Sequence, residues 1–215
     1  MRATPHSWSV DLLPTPVGHS LAGFAIHLAA GVQPGRRSWL AAAGLVALAN
    51  LPDIDFLPGY LIGQPRSYHW GPTHSLAAAF LVGTCAGFMA RAFARRFLPF
   101  FLLGGAAYAS HLMLDMLLGP GAFSEGLQLF WPVSAERYTA PRGVFLMFPA
   151  SLDQLGPVRA LFSRGALPLM IRELAILGPV CLVAWLLGQS SNFASRAGLR
   201  HRTFTERRAA DCEDA

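Results

Sequence analysis

The chain has 215 residues, of which 53% are hydrophobic and only 13% charged, and its formal net charge at pH 7 is +5. A mean hydropathy of +0.40 excludes an ordinary soluble domain and points to one membrane-embedded domain with a tail. All 17 basic residues are arginine, but they fall mostly between apolar segments and in the tail, so the high pI of about 9.7 predicts no nucleic-acid partner.

Residues 1–18, MRATPHSWSVDLLPTPVG, hold Asp11, several prolines and no continuous apolar run, so no cleaved signal peptide is expected. Apolar segments follow at 21–32, 39–51, 75–92, 97–118 and 167–187. The last three have spanning length. The first two, at about 1.5 Å per residue, reach only about 20 Å, so they form either a shallow hairpin through QPGRR or spans with polar ends. Residues 119–166 are rich in Gly, Pro and aromatics and are expected to carry short helices of their own. Within them Trp131 of the FWP stretch reads as an interfacial anchor or a wall of a substrate cleft. From 189 to 215 the chain is polar, Arg-rich and then acidic, and reads as a disordered tail. Cys85 and Cys181 lie in apolar runs and Cys212 in the tail, with no CxxC pair, so neither a disulfide framework nor a thiolate zinc site is indicated.

The predicted fold is all-α: a polytopic membrane bundle of about five apolar helices over 19–188. Arg36 and Arg37, Arg91, Arg95 and Arg96, and the arginines from 196 to 208 share one side, which the positive-inside rule makes cytoplasmic. Five arginines between 137 and 172 fall on the other side, in longer loops that count less.

Polar residues gather at that other, outward end. His111 and Asp115 in SHLMLD are four apart and share a helix face. His74 in HWGPTHS opens the third segment, with Thr73 as its helix cap, and Asp53 closes the second. Helices packed side by side would bring these four to one layer. Two Asp and two His suit Zn²⁺, Mn²⁺ or Fe²⁺ better than Mg²⁺ or Ca²⁺, and His19 at the same level would serve a second ion. Asp115 or Asp53 could bridge two ions that together clamp a phosphoryl group and activate water. Alone, Asp53 and Asp55 read as a turn cap among headgroups, whereas Asp115 is an intramembrane acid and reads as functional. Joined at one level, His19, Asp53, His74, His111 and Asp115 read as a metal site, with one or two ions and zinc the expected species. Asp55 would orient a ligand or act as general base, and His69 would protonate the leaving group. Glu173 is either an extra ligand or a partner of Arg172 or Arg142. His27 reads as a satisfied interior histidine, and His6 and His201 as solvent residues.

In order, GHS at 18–20, LPDID at 51–55, HWGPTHS at 69–75, SHLMLD at 110–115 and LFWP at 129–132 resemble the YdjM-like family. That family is described as LexA-binding, inner-membrane-associated metal-dependent hydrolases. Its third motif is similar to His-Arg-Gly-x-Thr-His-Ser, whereas Trp70 stands here at the Arg position and Pro72 follows Gly71, leaving Arg66 as the nearest cation. More distantly, the order His, Asp, His, HxxxD resembles the zinc-dependent phospholipase C and single-strand nuclease superfamily. That resemblance makes Asp115 the bridge and His19 the ligand near the N-terminus, and with no later His before His201 it implies two metals at most.

The expectation is a multi-pass inner-membrane hydrolase with its site on the extracytoplasmic face, acting on a phosphoester of a lipid-like or lipid-linked substrate. Besides the bilayer, the partner implied is a soluble regulator at the cytoplasmic side. Two rivals stand beside it: a non-catalytic metal protein that recruits that regulator, and a divalent-metal transporter, which would need ligands at the bilayer midplane.

Overall fold

A computed structural model describes residues 15–32, 35–62, 68–118, 126–145 and 162–213. The described residues are helical apart from turns, one isolated bridge pair and the extended stretches around it. The first helix, α1, covers Pro16–Ala29. Thr15 caps it, accepting from the Val17 amide at 3.2 Å, and Pro16 takes the position where a missing N–H is harmless. Helix α2 covers Arg36–Asn50 and runs into a 3₁₀ turn, Leu51–Asp55, and a short helix α3, Phe56–Leu61. A second 3₁₀ turn, Pro72–His74, leads to α4, Leu76–Ala92, and then come α5, Phe97–Met116, and α6, Leu167–Glu213.

Three helical stretches are long and apolar enough to cross a bilayer: Arg37–Gly59, Phe97–Met116 and Leu167–Ser190. Two expectations change here. The second segment attains spanning length because its helix continues through the Asp53 turn into α3, while α4 stops at 17 residues. The tail expected from 189 onward is helical to Glu213: this stretch has no proline and is rich in Ala and Arg, which favour helix. The short helices expected in 119–166 are absent from 126–145, and 119–125 and 146–161 lie outside the described residues.

Side chains around the bundle are apolar and exposed, among them Phe80, Leu81, Phe88, Leu98, Leu182 and Leu186. That is the pattern of a lipid-facing perimeter. Inside, small residues bring backbones together. A Cβ on Gly83 would lie 2.7 Å from the Phe101 carbonyl oxygen on α5, and one on Gly23 would lie 2.8 Å from that of Leu45 on α2. With little hydrophobic driving force between helices in lipid, such approaches provide the dispersion contact that holds them.

Between α5 and α6, the stretch 126–145 folds over one end of the bundle. Leu127 and Tyr138 exchange backbone hydrogen bonds at 2.9 Å, and the Leu76 amide donates to the Leu129 carbonyl at 2.9 Å. Arg37, Arg91, Arg95 and Arg96 lie at the opposite helix ends.

Candidate metal centre

The covered end of the bundle is where the polar residues converge. His111 and Asp115 come from the last turns of α5, Asp53 and Asp55 from the turn after α2, and His74 from the turn before α4. Tyr108 of α5 fixes that last turn by donating its hydroxyl hydrogen to the Thr73 carbonyl at 2.7 Å. Ser75, not Thr73, caps α4, accepting from the Ala78 amide at 3.1 Å. Thr73 turns the other way and donates to Asp55 Oδ2 at 2.7 Å.

The ring orientations follow from what each Nδ1 meets. His111 Nδ1 lies 2.8 Å from the Ala49 carbonyl oxygen, so it carries the proton and leaves the Nε2 lone pair free. His74 Nδ1 lies 3.1 Å from Asp55 Oδ2, an acceptor, with the same result. The two free Nε2 atoms sit 3.2 Å apart. Asp115 Oδ2 is 3.3 Å from that of His74 and 3.4 Å from that of His111. Asp53 Oδ1 is 3.3 Å from His111 Nε2 and 4.0 Å from His74 Nε2. A tetrahedral ion with bonds of about 2.0–2.1 Å places its ligand atoms about 3.3–3.4 Å apart, which the three closest atoms match and Asp53 nearly matches. These residues could therefore hold a metal ion.

His19 occupies the next position. Its ring stacks on His111 at 3.7 Å, and its Nε2 lies 3.5 Å from Asp115 Oδ1. Among the described residues, His19 Nδ1 and Asp115 Oδ1 are buried without a hydrogen-bond partner. Buried polar atoms without a partner are rare in a folded interior, and His19 with Asp53 and His111 forms a further group that could hold a cation. Burial first, and the neighbouring His111 second, hold the His19 imidazole down at about 3, so it is neutral and able to ligate. For His74, burial works against a proton, but hydrogen bonds to Asp115 and Asp55 outweigh it and raise the value. Carboxylates that draw a proton there would draw a metal cation as well.

His74, His111, His19 and Asp115 are buried, while the Asp53 side chain is 27% exposed and forms the open edge of the cluster. Asp55 has no direct place among the ligand atoms of His111 and Asp115. It accepts from His69 Nδ1 at 2.9 Å on one oxygen and faces Thr73 and His74 with the other. His69 stacks on Phe56 at 4.0 Å, and its buried Nε2 has no hydrogen-bond partner among the described residues.

Two contacts depart from expectation. Glu173 pairs with neither Arg172 nor Arg142: its carboxylate accepts from the amide and hydroxyl of Thr15, ahead of α1, while Arg172 donates to the Val144 carbonyl. This is the helix N-terminus attracting a carboxylate, and in sequence the partners are too distant to suggest each other. Trp70 is a site residue that the sequence alone does not mark. It holds a left-handed backbone with φ 61° and donates its indole N–H to Asp115 Oδ2 at 3.0 Å. Such a backbone on a bulky residue is strained and marks a position worth reading functionally. His27 is only half satisfied: Nε2 meets Ser38 Oγ at 3.1 Å and Nδ1 meets no partner among the described residues. His6, Arg66 and the side chain of His201 lie outside the described residues.

Comparison with known proteins agrees with the location. A family profile described as YdjM inner membrane protein matches residues 15–189. The chain is also similar to Inner membrane protein YbcI of Escherichia coli (strain K12), 34% identical over 148 residues that make up 66% of this chain and 81% of that protein. No solved structure matches.

Proposed function

Because the chain belongs to the YdjM inner membrane protein family, we propose that it is an inner-membrane, metal-dependent hydrolase acting on a phosphoester of a lipid-like or lipid-linked substrate. The observation that supports this most is the convergence of His74, His111, Asp115 and Asp53 ligand atoms at metal-ligand spacing with one edge open. Asp53, His74, His111 and Asp115 would hold the principal ion, zinc by its ligand chemistry, and His19 with Asp115 Oδ1 a second. The ion, when bound, supplies Lewis acidity and an acidified water.

The chain's own groups do the rest. Asp55 fixes the His74 ring so that its Nε2 points inward, the usual second-layer partner of a metal-bound imidazole. His69, held by Asp55 through Nδ1, would relay a proton to the leaving group through Nε2. The open edge at Asp53 adjoins Ile54, Leu57 and Leu61, which are 57%, 58% and 80% exposed. An apolar rim beside a polar centre suits an amphiphile whose phosphoester enters from the headgroup layer.

The test pairs elemental mass spectrometry with phosphoesterase assays on wild type and the His111→Ala, Asp115→Ala double variant in mild detergent. Near-stoichiometric zinc and lipid-phosphoester cleavage in wild type, both lost in the variant, are expected. Equal and negligible metal in the two proteins would overturn the reading. A second reading, a metal protein that recruits a soluble regulator, draws support from α6 continuing from Ser190 to Glu213 beyond its spanning stretch. It predicts bound metal without turnover.

A further inference from the structure

The opposite end of the bundle has a crevice that the metal centre does not use. It encloses about 150 Å³ where the end of α1, the start of α2 and α6 meet. Gly188 of α6 backs onto the Leu28 carbonyl and Gly31 so closely that no side chain fits between them, which fixes the floor. Phe24, Leu28, Trp39 and Trp185 supply apolar walls, and His27, Ser38 and Gln189 the polar points. We propose that this crevice binds the phosphate headgroup of one anionic phospholipid from the surrounding leaflet.

Three observations carry it. His27 is only 6% exposed, and its Nδ1 has no hydrogen-bond partner among the described residues, an arrangement that folded proteins rarely leave without a ligand or water. No acid lines the crevice, no side chain caps the start of α2, and Arg37, exposed in the first turn of α2, precedes Ser38 and Trp39 of the lining. A helix start with a guanidinium in its first turn favours phosphate. Trp39 and Trp185 are 68% and 44% exposed, the half-wet placement of rings at a membrane interface, and an acyl chain can leave between them. The apolar walls and flanking indoles select a lipid over a soluble anion, and basic pockets between membrane helices are known headgroup sites.

The full-length protein would be placed in phosphatidylcholine nanodiscs doped with brominated-chain phosphatidylglycerol or with brominated-chain phosphatidylcholine, and tryptophan quenching followed. The expected preference for the anionic lipid is about fivefold for each basic residue engaged. Arg37→Gln should abolish the preference, and the Trp39→Phe, Trp185→Phe pair should remove the quenching. Equal quenching by both lipids would overturn the proposal, as would a preference retained in Arg37→Gln or suppressed by inorganic phosphate, the latter marking a soluble-anion site. Helicity and metal content at the far end report whether the variants fold. Should Arg37→Gln fail to fold, a salt titration of wild type decides: a preference that persists at high salt overturns it.

Discussion

Asp115 presents its two oxygens to different neighbours, Oδ2 to Trp70, His74 and His111 and Oδ1 to His19. One carboxylate can thus serve two cations, provided it does not rotate, and the Trp70 indole holds it still. His74 depends on Asp55 in the same manner. If the centre holds the proposed ion, Asp55→Ala should weaken metal binding about 10- to 100-fold without unfolding the bundle, measured by competition with a calibrated chelator. An unchanged affinity would reduce Asp55 to a turn residue. Of these residues, His111 and Asp115 were legible in the sequence through their four-residue spacing, and the others only through sharing a level. Trp70 was not legible: it stands at a position where the resemblance leads one to expect arginine, and nothing local says that an indole N–H will reach a carboxylate 45 residues away.

At the scale of elements, the centre is built almost wholly from helix ends and the turns joining them, so helix spacing sets its geometry. Gly83 and Gly23 control that spacing. Gly83→Val would push a side chain into the Phe101 carbonyl and separate α4 from α5. The expected destabilisation is about 1–3 kcal/mol, with metal lost in parallel, measured by thermal unfolding in detergent and elemental analysis. An unaltered midpoint would show that α4 and α5 adapt without penalty. Five of the six helices are legible as apolar runs, but their lengths are not. Hydropathy ends the second run at the Asp53 turn, although the backbone continues helically because buried partners satisfy the turn's polar groups. Composition likewise suggested disorder beyond 189, where helix-favouring residues sustain α6.

For the whole molecule, the centre lies at the pole opposite Arg37, Arg91, Arg95 and Arg96, and the positive-inside rule predicts from this how the chain sits in the inner membrane. Val133, 93% exposed in the stretch covering the centre, reports which pole faces out. In a variant lacking the native cysteines, Val133→Cys should react with a membrane-impermeant maleimide added to intact spheroplasts; reaction only after lysis would place the centre on the cytoplasmic face. The clasp between Thr15 and Glu173 spans 158 residues and joins the beginning of the first helix to the beginning of the last. Its consequence is one of timing. The ribosome releases α1 long before Glu173 exists, so the helix bearing His19 can pack on α2 early, but its N-terminal end is fastened only when α6 arrives. Assembly should then end with a latch. Chains arrested before residue 167 should remain protease-sensitive in the membrane, and so should full-length Glu173→Ala, whereas resistance in the arrested chains would show that the first five helices close unaided.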